Sequence, residues 1–123
     1  GRRFSLGWFQ MFGGSKNKSV TLREERRPGD YRFLGVTLEK NGDLVFEGQD
    51  LGQGVRDAFG CAEYEWRWAV KAPDVGALRN ALGGSGNVLD LLKKRFSGAN
   101  AAALRGFLEE HEVPFESWSR IGD

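Results

Sequence analysis

In residues 63–71, Glu-Tyr-Glu-Trp-Arg-Trp-Ala-Val-Lys, the side chains of Tyr64, Trp66, Trp68 and Val70 take every second place, and Glu63, Glu65, Arg67 and Lys71 alternate with them. Successive side chains of an extended strand point to opposite faces, so this is the period of a β-strand with one apolar and one charged face. Two tryptophans and a tyrosine on one face bury more apolar surface than any other segment of the chain offers. The stretch is the expected central strand of the core.

The segments before it read as further strands separated by turn chemistry. Residues 4–12 carry Phe4, Leu6, Trp8, Phe9, Met11 and Phe12 and read as a strand, and residues 13–18 read as a mobile hairpin loop. Residues 20–26 form the next strand, with Val20 and Leu22 facing in. Pro28-Gly29 follows, a fixed φ and then a residue free to take positive φ, as a type II turn requires. Residues 31–39 and 43–51 flank Asn41-Gly42, the strongest hairpin signal in the chain. A two-residue turn there sets Leu38 opposite Val45, Val36 opposite Glu47, Leu34 opposite Gln49 and Gly35 opposite Gly48. Neither face is then purely apolar, and the paired glycines leave a flat gap for a neighbouring ring to cover.

After the aromatic strand the period becomes helical. Pro73 with Val75, Leu78 and Leu82, stopped by Gly83-Gly84, describes one short helix. Asn87 caps a second, with Val88, Leu91, Leu92 and Phe96 inward and Lys93, Lys94 and Arg95 near the negative end of its dipole. Asn100 starts a third, with Leu104, Phe107, Leu108 and His111 on one stripe, and Pro114 ends it. Residues 115–121 read as a short closing strand, and 55–59 as a helical turn. Strands followed by helices argue for an α+β domain: an antiparallel meander of about five strands, three short helices on one face and a C-terminal strand. At 123 residues the chain is expected to form one domain, residues 1–123.

The chemistry is sparse. Cys61 is the only cysteine and His111 the only histidine, so no internal disulfide can form and no zinc site is expected. His111 reads as a helix-end residue and Cys61 as a small packed one. Gly52-Gln53-Gly54 lacks the third glycine of a dinucleotide fingerprint, with Asp57 in its place, and Gly83-Gly84-Ser85-Gly86 lacks the lysine of a phosphate loop. No cofactor is expected. No apolar run approaches the roughly 20 residues of a membrane helix. The arginines and rings of residues 2–9 imitate a signal peptide without its cleavage site. A cytoplasmic location and no membrane partner are expected.

Charge is distributed unevenly. Residues 1–40 hold nine Lys or Arg against four Asp or Glu, a balance of +5, and residues 41–75 hold three against seven, a balance of −4. The acidic middle contains Asp43, Glu47, Asp50, Asp57, Glu63 and Glu65, and a solvated acidic rim is the plain structural reading. The functional reading is a non-enzymatic binding module of the toxin-neutralising (immunity) type. Asp50, Asp57, Glu63 and Glu65, with Arg67 beside them, would meet a basic, nucleic-acid-cleaving protein partner by imitating phosphate. A competing reading uses the basic hairpin, where Arg23, Arg26, Arg27 and Arg32 stand with Tyr31 in the pattern of single-stranded nucleic-acid binding. A third reading is a small hydrolase using paired carboxylates.

The Gly-Asp-Leu-Val-Phe-Glu-Gly-Gln-Asp-Leu-Gly run at 42–52, Glu-Tyr-Glu at 63–65 and Val-Pro-Phe-Glu-Ser-Trp at 113–118 resemble small uncharacterised bacterial proteins that share a Gly-Gln-Asp-Leu-Gly segment. The resemblance covers about the last eighty residues and implies no activity.

Overall fold

The fold is taken from a computed structural model, which describes residues 18–52 and 63–122. Five antiparallel strands run in sequence order across one sheet: β1 (Lys18–Arg27), β2 (Asp30–Leu38), β3 (Leu44–Gly52), β4 (Glu63–Val70) and β5 (Glu116–Gly122). Between β4 and β5 come α1 (Ala72–Ala81), α2 (Val88–Phe96), a 3-10 segment (Gly98–Ala103) and α3 (Leu104–Glu110). This is the α+β meander with three helices that the periodicity predicts. The strand expected at 4–12, all of the loop expected at 13–18 except Lys18, and the helical turn at 55–59 lie outside the described residues; Lys18 begins β1 instead.

The sheet has one apolar face. Leu34 and Val36 of β2, Leu44 and Phe46 of β3, and Trp68 and Val70 of β4 join a single core with Leu78, Leu92, Leu104 and Leu108 of the helices. Every described helix contributes to this side.

The hairpin between β2 and β3 corrects the expected register by one residue. Asn41-Gly42 is not a two-residue loop: Glu39 N–H donates to Asp43 O at 2.8 Å, Gly42 N–H donates to Glu39 O at 2.9 Å, and Gly42 sits at φ +95°. A three-residue loop with its last residue in the left-handed region is the next favoured hairpin, and it adds one residue to the turn. Leu38 therefore pairs with Leu44, Val36 with Phe46 and Leu34 with Gly48, while Gly35 meets Glu47 and Phe33 meets Gln49. Leu34, Val36, Leu38, Leu44 and Phe46 now share a face, and Glu47 and Gln49 move to the other, with Val45 and Phe33.

Gly35 and Gly48 are consequently on opposite faces, each with its own ring. A Cβ on Gly48 would lie 2.1 Å from Trp66 Cε2 and Cζ2, so the indole lies flat against the bare backbone. A Cβ on Gly35 would come within 3.0 Å of the Phe33 ring.

The β1–β2 turn follows expectation, with Gly29 at φ +81°, and the strands it joins set Glu25 opposite Arg32. Further along, β1 contains an irregularity that its alternation does not announce. Thr21 pairs with Gly35 but Arg23 pairs with Leu34, so Leu22 is an extra residue in a β-bulge. Leu22 is buried in the core, and every β1 side chain beyond it changes face.

The helix ends use the predicted punctuation with two changes. Asn87 Oδ1 accepts from Leu89 N–H at 2.8 Å, as an N-cap should. For α1 the cap comes from outside the helix: Asp43 Oδ1 of the hairpin loop accepts from Ala72 N–H at 2.8 Å while Lys71 Nζ lies 3.2 Å from Asp43 Oδ2. The expected cap at Asn100 is absent, because a 3-10 turn has already begun at Gly98. α3 closes with Val113 N–H donating to Leu108 O at 2.9 Å, which forces Glu112 to φ +55°. His111 is the C-terminal cap residue, and its ring packs 4.3 Å from that of Phe107.

Candidate functional site

The strand registers decide which charged residues share a surface. Asp50 is level with Tyr64 and Arg32 on the helix-bearing face, whereas Glu63 and Glu65 point to the opposite face with Gln49 and Arg67. Nor is the acidic row a solvated rim: Glu63 is 2% exposed and Glu65 1%. Gln49 Nε2 donates to Glu63 Oε2 at 3.4 Å, and the Arg67 guanidinium lies 5.0 Å from the centre of the Trp118 ring. Asp57 and Cys61 lie outside the described residues. Asp43 caps α1, a use that no sequence signal disclosed. Its carboxyl is held below the usual range, first by the Ala72 N–H bond and then by Lys71. The carboxylates expected to act as one patch are thus divided among two faces and a helix cap.

Glu47 stands out on the face away from the described helices. It is 5% exposed, and its Oε2 has no hydrogen-bond partner among the described residues. Burial pushes its pKa up to about 8; Arg67 opposes the rise, and Glu39 and Glu65 add to it. The carboxyl is therefore held neutral at ordinary pH. Among the described residues no group of three or more acidic, histidine or cysteine side chains is arranged to hold a metal ion.

The basic hairpin is divided too, and here the division produces a site. Beyond the bulge, Arg23, Glu25 and Arg27 of β1 share the helix-bearing face with Arg32 of β2, while Glu24 and Arg26 lie on the other. On that other face Arg26 Nη2 is 3.1 Å from Glu24 Oε2, the Tyr31 hydroxyl donates to the same oxygen at 3.2 Å, and the Arg26 guanidinium covers the Tyr31 ring. Arg26 and Tyr31 therefore neutralise and stack on local partners.

Arg23, Arg27 and Arg32 line a cavity of about 270 Å³ with Glu25, Asp30 and Ala99. Arg23 also lines a second cavity of about 280 Å³, whose walls include Leu34, Asp50, Trp66, Trp68 and Arg105. The two cavities share the Arg23 side chain and lie between the sheet and the 3-10 segment, which contributes Ala99 to one and Ala101 and Ala102 to the other.

Within this cleft Arg23 Nη2 is 3.0 Å from Glu25 Oε1. The Glu25 carboxyl is held below the usual range, first by that hydrogen bond, with Arg27 and Arg32 adding to it. Burial raises the Asp50 carboxyl, against the opposing pull of Arg32 and Arg23. Arg105 lies 5.9 Å from the Trp68 ring centre and 5.6 Å from that of Phe115, and its Nε is 3.4 Å from Glu109 Oε2. Tyr64 stacks on Trp66 at 5.4 Å with 28° between the planes, extending the aromatic floor.

Three of the five hairpin residues singled out in the sequence thus line the cleft, and so does one of the five acidic-face residues, Asp50. Arg105, Trp66 and Trp68 complete it without having been expected there. Arg105 sits on a helix more than seventy residues from Arg32, the nearest in sequence of the hairpin arginines, and no local spacing links the two.

Fold and cleft together define a small α+β domain with an open antiparallel sheet and a charged, aromatic-floored recess at one end of its helix-bearing face. No family model, curated protein or solved structure matches the chain. Among the described residues no helix is long and apolar enough to cross a membrane.

Proposed function

We propose that this chain is a binding module whose working surface is the arginine-lined cleft, and that its ligand carries a phosphate or carboxylate group. The supporting observation is convergence: Arg23 and Arg27 from β1, Arg32 from β2 and Arg105 from α3 border two adjoining cavities. Guanidinium groups form paired hydrogen bonds with such oxyanions, and a recess strengthens those bonds relative to open water. Glu25, Asp30 and Asp50 offset part of the charge, so the site favours a ligand of low net charge over a long polyanion.

The toxin-neutralising reading through an acidic strand face has less support. A partner cannot reach Glu63 and Glu65 at their present burial, and Asp50 faces the other way. Binding of an extended single strand across the hairpin is weakened in the same manner, because Arg26 and Tyr31 are on the wrong side of the sheet.

The test is a titration with inorganic phosphate and with pyrophosphate, followed by tryptophan emission, since Trp66 and Trp68 border the cleft. Binding at about 50 mM salt that weakens at about 200 mM is expected. No spectral change and no heat at the lower salt would remove the cleft as an anion site.

A further inference from the structure

We propose that the ligand of the cleft is a nucleoside monophosphate unit, its base against the half-buried Trp66 at the edge of the core residue Trp68, and its phosphate among Arg23, Arg27 and Arg32. The proposal rests on the anion-binding reading above and deepens it. The two cavities differ in chemistry. The inner one has apolar and aromatic walls in Leu34, Trp66, Trp68 and the Ala101–Ala102 pair, with Asp50, Arg105 and the shared Arg23 as its polar groups. The outer one is bounded by five charged side chains and Ala99. A ligand that satisfies both needs a flat, largely apolar body with hydrogen-bond donors on its edge, joined through a short spacer to an anion.

A base, a sugar and a phosphate have that order. Indole faces are stacking surfaces for any base. Asp50 can accept from an exocyclic amine or ring N–H, the pairing that carboxylates make with base edges. The outer cavity sets three arginines against Glu25 and Asp30, a balance of +1 that suits one phosphate and works against a triphosphate. The two volumes together fall within the roughly 300–1,000 Å³ of small-molecule sites. The bulge at Leu22 makes the arrangement possible, because it turns Arg23 and Arg27 onto the same face as Trp66.

The experiment uses the full chain in calorimetry and tryptophan-emission titrations. The probes are the four nucleoside 5′-monophosphates, the matching nucleosides, inorganic phosphate and pyrophosphate, and a short single strand with and without a 5′-phosphate. A monophosphate is expected to bind at least about tenfold more tightly than its nucleoside or inorganic phosphate, quenching tryptophan emission. Arg32→Gln should weaken it about tenfold and flatten its salt dependence. Asp50→Asn should change which base is preferred, and Arg26→Gln on the opposite face should change nothing. Thermal midpoints of the three variants guard against loss of fold, and Arg32 is exposed enough for its substitution to be tolerated.

A phosphorylated strand that binds more tightly than both the monophosphate and the unphosphorylated strand supports a strand end as the source. Equal binding of the free monophosphate and the phosphorylated strand supports the free nucleotide. Inorganic phosphate or pyrophosphate binding as tightly as any nucleotide overturns the nucleotide inference and leaves the anion site standing. Absence of binding by every anion overturns both.

Discussion

Replacing Glu47 by Gln isolates the cost of a carboxyl sealed into the sheet face away from the described helices. In the folded chain its pKa is about 8, against 4.5 for an unhindered glutamate. Below pH 4.5 both folded and unfolded states hold the proton and the group does not affect the balance. Between 4.5 and about 8 the unfolded state releases it and the folded state does not. Stability therefore falls as pH rises through that window, by about 1.4 kcal/mol per unit at most. At pH 7 the full effect is ~3 kcal/mol. Halving it, for the solvent and side-chain rearrangement a buried carboxylate recruits, leaves about 1.5 kcal/mol. The substituted amide has nothing to titrate and nearly the same shape. Urea unfolding of both proteins should give curves that agree near pH 4.5 and separate steadily toward pH 8, with Glu47→Gln the more stable by about 1.5–3 kcal/mol. A difference that stays constant across that range would show that Glu47 is ionised in the fold, with Arg67 or water satisfying it, and the burial argument would fail.

Other substitutions test the packing and the helix ends. Gly48→Ala should cost about 2–3 kcal/mol, because its Cβ would lie 2.1 Å from the Trp66 ring. The double variant with Trp66→Leu should recover at least about 1 kcal/mol of that in a mutant cycle, and strict additivity would mean that the ring does not rest on Gly48. Trp68→Ala should cost about 3–5 kcal/mol in the same assay, and a loss under about 1 kcal/mol would place the ring outside the core. Asn87→Ala should lower stability by about 1 kcal/mol through loss of the Leu89 cap, with Asn87→Ser largely restoring it. Glu112→Gly should raise the thermal midpoint, since glycine takes φ +55° without the ~1 kcal/mol left-handed penalty.

What could be read from the sequence was whatever local spacing controls. The alternation in 63–71 located β4, and Pro28-Gly29, Pro73, Gly83-Gly84 and Asn87 marked ends that the fold uses. The register at Asn41-Gly42 was missed because that dipeptide fits two loop lengths, and only the pairing of Leu34 and Val36 with an apolar face chooses between them. A clue was present: the two-residue loop put Glu47 and Gln49 on the same face as three aliphatic side chains, a conflict the longer loop removes. The cleft was less legible still. Its charged half could be found as a run of arginines, but Arg105 and the two tryptophans reach it through tertiary packing. Nothing in their positions along the chain joins them to the hairpin.

Two single-residue irregularities decide what the charges of this chain can do. With strict alternation in β1, Glu24 and Arg26 would share the face of Leu22, and Arg23, Glu25 and Arg27 would point away from the helices; the extra residue at Leu22 exchanges the two sets. With a two-residue loop at Asn41-Gly42, Asp50 and Glu47 would exchange faces as well, since a one-residue slip moves every side chain of a strand to the other side. A sheet without either irregularity would put Glu24 and Glu47 on the helix-bearing face and turn Arg23 and Arg27 away from it. The actual sheet brings Arg23, Arg27, Arg32 and Asp50 beside Trp66 and sends Glu47 to the opposite face, where it is neutral. The cleft thus depends more on where β1 and the β2–β3 loop break their period than on how many charges the sequence contains. Charge totals gave a basic third and an acidic middle, while the sheet mixes members of both in one recess and sets the remainder aside as helix cap, surface pairs and buried acids.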